Sequence, residues 1–267
     1  MGLTDVTNMD DMEVFAMGGW MFALAYLTSV VGCTLGLACT LQARHASSEA
    51  IRLRWLILAS ISIGGIGVWL MHFIGMLGFA TPGMPVRYDI ARTALSALMS
   101  VAAVLCGLLI FGARARFSWW RLFLGGLVTG ITVNLMHYTG MWAVRVQGTI
   151  GYDPGLVLLS VVIAVVAACA AFWFTVAFAT ALHRLLAGLV MAIAVCGMHY
   201  TGMAAVRLHV DMTAPAPAGV DVFSFLFPVF VLAGLATAVI ICAVLIVPPI
   251  ALSGHRPTSL GPSRSVG

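Results

Sequence analysis

Charge is what this chain has least of. Asp, Glu, Lys and Arg make up 8% of its 267 residues and hydrophobic residues 62%, whereas soluble domains carry about 25% charged residues. A soluble globular domain is excluded, and the composition is that of a membrane protein. Lysine is missing altogether: all 13 basic residues are Arg. These are scattered over short segments between apolar runs and form no patch with interleaved aromatics, which excludes nucleic acid as a partner despite the net charge of +4. The apolar runs also lack the short alternation of a membrane β-barrel. No basic residue stands in the first 14 positions, where Asp5, Asp10, Asp11 and Glu13 are found. A cleaved signal peptide needs a basic start, so the first apolar run is expected to stay in the bilayer. Cys33, Cys39, Cys106, Cys169, Cys196 and Cys242 all fall inside apolar runs, and no disulfide framework is indicated.

What is present is a series of seven apolar stretches, at 15–41, 55–79, 91–113, 119–142, 156–179, 182–206 and 223–250. Each is long enough to cross about 30 Å of hydrocarbon, which takes about 20 residues. Backbone groups in lipid must pair within their own segment, so the predicted fold is all-α, an integral membrane bundle of seven transmembrane helices. Residues 1–14 form an acidic outer segment, 15–250 the membrane domain, and 251–267 a Ser-, Gly-, Pro- and Arg-rich tail expected to be disordered. Arg44, Arg52, Arg54, Arg114, Arg116, Arg121, Arg184, Arg256 and Arg264 fall on one side of this bundle. Arg87, Arg92, Arg145 and Arg207 fall on the other, together with eight of the nine acidic residues. By the positive-inside bias the N-terminus lies outside and the C-terminus in the cytoplasm.

One pattern occurs three times: Met71-His72-Phe73-Ile74-Gly75-Met76, Met136-His137-Tyr138-Thr139-Gly140-Met141 and Met198-His199-Tyr200-Thr201-Gly202-Met203. Short motifs carry a false-positive risk, but for this composition the expected number of chance matches is on the order of 0.002. The histidines are 65 and 62 residues apart, so the repeating unit is a pair of helices with the motif ending the second. Three such pairs and a seventh helix account for nearly the whole chain. Each copy is followed by an arginine and then an aspartate: Arg87 and Asp89, Arg145 and Asp153, Arg207 and Asp221. Aspartate suits a helix start, and capping is the reading taken here in preference to acid–base catalysis. The third copy is followed by Ala214-Pro215-Ala216-Pro217, which predicts a longer, irregular connection.

Histidine in hydrocarbon faces a bundle interior, a partner or water. All three motif histidines fall at one depth, and packing the repeats about a common axis would bring them together. Residues four apart share a helix face, so His72, His137 and His199 stack with Met76, Met141 and Met203. The motif glycines share that stripe and allow close helix approach. Met71, Met136 and Met198 point about 100° away, as weaker ligands or packing residues. Imidazole with thioether favours copper. Zinc suits three histidines but gives methionine no purpose, and haem leaves one histidine without a role. At the −3 positions stand Trp69, Asn134 and Cys196; Asn134 is a candidate to hydrogen-bond a ligand histidine, and Cys196 a candidate extra thiolate. His45, His183 and His255 read as interfacial, and His209 as a weak candidate for metal access.

At these residues the chain resembles the MHYT family, bacterial integral-membrane domains named for the tetrapeptide that stands complete at His137 and His199 and as Met-His-Phe-Ile at His72. The resemblance covers about residues 15–250. It implies a location in the bacterial inner membrane, seven spans with motifs toward the periplasm, copper at the motif histidines and methionines, and sensing of a diatomic gas such as oxygen, carbon monoxide or nitric oxide. Family members often precede cyclic-di-GMP or histidine-kinase output domains; here the tail ends 17 residues after the seventh span, so the expected output is a separate cytoplasmic signalling protein. A homo-oligomer is compatible with this reading. The expectation is a sensory module without enzymatic activity. The alternative is a copper-handling or assembly factor for an outer-facing membrane enzyme.

Overall fold

The computed structural model describes residues 19–77, 85–112, 117–178, 180–211 and 213–246. The predicted acidic segment, the tail with His255, and Arg114 and Arg116 lie outside the described residues. Among the described residues there are seven long helices: α1 Gly19–His45, α2 Glu49–Met76, α3 Ile90–Phe111, α4 Trp119–Ala143, α5 Pro154–Ala177, α6 Ala181–Ala204 and α7 Val222–Ile246. Six are long and apolar enough to cross a membrane. The remaining one, α4, has 25 residues and at about 1.5 Å each the length to cross, but its sequence is less apolar, with Arg121, Thr129, Thr132, Asn134 and His137 along it. It packs between α3 and α5, where neighbouring helices shelter those groups from lipid.

Around the bundle, α1 meets α2, α2 meets α3, and so on to α6, which meets α1 again. This ring puts the motif helices α2, α4 and α6 alternately with α1, α3 and α5, and the motif helices touch one another in the middle. Helix α7 packs outside, against α1 and α2. Small residues permit the close approaches: a Cβ at Gly32 of α1 would overlap the backbone of Gly67 in α2. Hydroxyls cross between helices where they can, as association in lipid requires: Ser62 donates to the Gly32 carbonyl at 2.8 Å and Ser100 to the Gly64 carbonyl at 2.7 Å.

Two features depart from the expected plain helices. Residues Ile61–Leu70 of α2 wind as a π-helix, a wider coil that often accompanies functional sites, directly before the first motif. The connections at the motif end also carry short strands, β1 Arg87–Tyr88, β2 Val144–Arg145, β3 Gly148–Tyr152, β4 Val206–Val210 and β5 Val220–Asp221, while residues 214–217 form the irregular connection expected after the third motif. Strand β1 pairs antiparallel with both β2 and β5, and β3 with β4. Every span begins or ends within a few residues of its expected limit except α2, which starts at Glu49, six residues early, because Ser48 caps it by accepting from the Ile51 N–H.

Candidate metal centre

Each motif helix delivers its histidine to the bundle axis. His72 is 1% exposed and His137 and His199 are 0% exposed. Nδ1 of His72 lies 3.1 Å from Nδ1 of His137 and 3.1 Å from Nδ1 of His199. The ring centroids are 4.9 to 5.2 Å apart and the planes nearly perpendicular, at 81° to 88°. Among the described residues, these three are the group of His, Cys, Asp and Glu side chains placed to share one ion, with ligand atoms all within 4.8 Å.

The motif glycines explain how three rings fit. A Cβ at Gly75 would overlap Nε2 of His199, one at Gly140 would overlap Nε2 of His72, and one at Gly202 would overlap Nε2 of His137. The relation runs once around the axis: each helix offers a bare backbone as the seat for its neighbour's imidazole. The sequence predicted close approach at these glycines, and the structure shows what approaches.

The donors are arranged for a cation better than for protons. A ring nitrogen carries one proton or one lone pair in its plane, so Nδ1 of His72 cannot satisfy both facing nitrogens in good geometry. Three lone pairs converging on one ion would remove that conflict. Among the described residues, the three buried Nε2 atoms find no hydrogen-bond partner. Ligand histidines usually donate this second N–H to an acceptor; here the glycine seats hold the rings by shape.

The motif methionines are buried as well. Met76, Met141 and Met203 are buried in a small cluster with Phe73, Tyr88, Val144 and Val206, about one helical turn toward the strands. Met71, Met136 and Met198 are buried in the main core. All six motif thioethers are therefore buried, divided between two apolar clusters.

Two predicted neighbours of the site turn elsewhere. Asn134 donates from Nδ2 to Ser160 Oγ on α5 at 2.9 Å, and the Tyr138 hydroxyl lies 3.1 Å from the same oxygen, so Asn134 braces two helices rather than a ligand ring. The equivalent residue of the first repeat, Trp69, donates to Ser96 of α3 at 2.9 Å. Cys196 is buried but lies outside the histidine group, on an apolar groove with Phe22, Tyr26 and Tyr200. Sharing a helix face with a histidine does not fix which neighbour a side chain meets. His45 and His209 are exposed at helix and strand positions away from the site, and His183 bonds the Thr180 cap at 2.6 Å.

The aspartates cap helices as expected. Asp89 accepts from the Arg92 N–H at 3.2 Å, and Asp153 from the N–H groups of Gly155 at 2.9 Å and Leu156 at 3.1 Å. They also do something the sequence did not disclose. Arg145 reaches Asp89 at 3.1 Å and Arg207 reaches Asp153 at 3.3 Å, while Arg87 is the cross-strand partner of Asp221. Two of these arginines thus meet the aspartate of another repeat, and the third stands opposite one across a strand pair. Both capped carboxyls are held below the usual aspartate range, Asp89 by the Arg92 N–H and then Arg145, Asp153 by the Leu156 N–H and then Arg207.

Known proteins bear on this arrangement in three ways. The family described as MHYT, bacterial signalling protein N-terminal repeat, matches at residues 65–125 and again at 130–188, each match beginning shortly before a motif. The chain is 40% identical over 175 residues to the bifunctional diguanylate cyclase/cyclic di-GMP phosphodiesterase MucR of Pseudomonas aeruginosa, covering 63% of this chain and 25% of that protein. It is 37% identical over 202 residues to the cyclic di-GMP phosphodiesterase NbdA of the same organism, and 31% identical over 234 residues to the signaling protein YkoW of Bacillus subtilis. Those matches cover 73% and 82% of this chain, and 25% and 28% of the relatives. The chain thus spans about a quarter of the length of these relatives. No solved structure matches it. With two matched repeats, and a third motif copy at residues 198–203 whose histidine completes the same cluster, the chain belongs to the MHYT family of membrane signalling proteins.

Proposed function

We propose that this chain is a membrane sensor whose receptor is a metal held by His72, His137 and His199 near the outer face. The observation that supports it is the convergence of three fully buried Nδ1 atoms on one point, an arrangement that protons alone satisfy poorly. Copper is the first choice, because the surrounding methionines make the donor set soft. Zinc leaves the methionines without purpose, and imidazoles already in mutual contact argue against haem between them. When bound, copper would supply a redox couple and an open position for a diatomic gas: oxygen, carbon monoxide or nitric oxide.

The chain's own residues do the rest. The glycine seats set the ring orientations. Met76, Met141 and Met203, with Tyr88 above them, separate the imidazoles from the polar rim. Any change in spacing among the three nitrogens is transmitted to α2, α4 and α6, which run the length of the bundle. A ligand shifts such an equilibrium only by binding one packing better than the other. The arginine bias supports an orientation with the motif end outside and the C-terminus in the cytoplasm. The named activities of the relatives, in proteins larger than this chain, support a cytoplasmic output; we place it in a separate signalling protein.

The test is the visible and electron paramagnetic resonance spectrum of copper-loaded protein in lipid nanodiscs, with and without nitric oxide or carbon monoxide. A gas-dependent change in the wild type, absent from the His72→Ala/His137→Ala/His199→Ala variant, is expected. A spectrum indifferent to these gases and to oxygen, coupled with transfer of the copper to a recipient enzyme, would replace sensing with copper handling.

A further inference from the structure

One turn below each histidine stands a valine: Val68, Val133 and Val195, each four residues before His72, His137 and His199. The three copies therefore share the longer pattern Val-x-x-Met-His, a signal available in the sequence. These valines all line one cavity of about 60 Å³, on the side of the histidines away from the strands. Met198, which precedes His199, lines it as well. The cavity is thus on the bundle axis at the foot of the imidazole cluster.

Its wall says what it would take. The remaining lining is apolar apart from two threonines, and both spend their hydroxyl protons on backbone: Thr129 donates to the Ala103 carbonyl at 3.1 Å and Thr175 to the Phe172 carbonyl at 2.7 Å. A water molecule needs two to four polar partners to be held, and an ion needs more. Cavities of this kind stay dry and bind xenon or small apolar molecules. The volume exceeds the ~10–15 Å³ that one water-sized probe requires and is well below the ~300 Å³ of ordinary ligand pockets, which limits the occupant to a few atoms. Between α5 and α6 the wall is built of Ala167, Ala171 and Ala194, which are only half-buried. These small side chains leave the thinnest barrier toward hydrocarbon, where apolar gases dissolve better than in water.

We infer that this cavity is a binding site for an uncharged, apolar molecule of two or three atoms, loaded from the bilayer between α5 and α6 and positioned beneath the three histidines. The identification of that molecule with the sensed ligand rests on the function proposed above; the cavity itself does not. Val68, Val133 and Val195 form the collar through which an occupant meets the imidazole layer.

Xenon is the probe, because it binds by size and polarizability and needs no metal. The full chain in nanodiscs, with labelled valine methyl groups, is titrated with xenon under pressure. Resonances of Val68, Val133 and Val195 are expected to shift and saturate, while those of the exposed Val162 and Val166 drift linearly as xenon dissolves in the lipid. Ala164→Leu and, independently, Ala168→Leu fill the cavity from its α5 wall, and each is expected to abolish the saturable shift while leaving copper content unchanged. Linear drift at every valine, or saturation that survives both substitutions, would overturn the inference. Saturation in a protein that takes up no copper would uphold the cavity and overturn the metal reading alone.

Discussion

Helices α2 and α7 both cross a bilayer by length and composition, and they have opposite fates. The most apolar stretch of α7 has a mean hydropathy of 3.0 and is 6% buried inside the protein; that of α2 has 1.9 and is 72% buried. In water the order would be reversed. In lipid, hydrocarbon solvates leucine as well as a protein core does, so association depends on close packing and polar contacts. Helix α2 has both: Gly64 abuts the Ser100 carbonyl, Ser62 bonds Gly32, and His72 occupies the axis. Helix α7 has neither in comparable measure, and a Cβ at its Gly234 would meet nothing within 4 Å.

The sharpest way to break this contrast is to fill a glycine seat. Gly140→Leu drives a side chain into Nε2 of His72, and overpacking of this kind costs about 1–3 kcal/mol or more. It is expected to abolish copper binding and lower the thermal midpoint strongly. Gly234→Leu in α7 is the matched control and should leave copper binding intact; both are read by metal analysis and thermal unfolding in nanodiscs.

A smaller effect is expected from the crossing hydroxyls. Ser100→Ala removes the bond to the Gly64 carbonyl, and interhelical hydrogen bonds in membranes average about 0.6 kcal/mol, up to about 1.7. Because Gly64 lies in the π-helical segment, the loss should appear as faster amide exchange there. Leu235→Ala, on the lipid face of α7, should change stability by less than about 0.5 kcal/mol.

The two Arg–Asp pairs between repeats give the weakest effect and a definite sign. Asp89 and Asp153 have carboxyls held below their ordinary range, so their contribution is fully present above the unfolded aspartate value of about 3.9 and disappears as pH falls through the depressed native values. The thermal midpoint is expected to be level from pH 7 to about 4 with respect to these groups and to decline below that. Asp89→Asn/Asp153→Asn should reduce that decline, and added salt should too, since both groups are partly exposed to solvent.

Much of this was legible because the repeat is exact where it matters. The Met-His-x-x-Gly-Met triplet, the helix pairs and the single depth of the histidines follow from spacing alone, and the convergence of the rings fulfils the packing that spacing allowed. Through-space relations were not legible. That Gly140 seats His72 rather than a ring of its own helix depends on the order of helices around the axis. Asn134 shares a face with His137, yet its amide donates to a serine of α5. Strands β1, β2 and β5, only two residues each, are too short for a period-two pattern, whereas the five-residue β4 carries one in Val206, Leu208 and Val210 that was readable and was missed. The π-helical turn of α2 leaves no compositional mark beyond a cluster of glycines.

The central claim is that three repeats build one shared site rather than three separate ones. Copper bound per chain, measured on purified protein and on His72→Ala, His137→Ala and His199→Ala taken singly, tests it most directly. The account predicts one copper per chain in the wild type and a severe loss in every single variant. Three coppers per chain, falling by one with each substitution, or a content that no substitution changes, would contradict it.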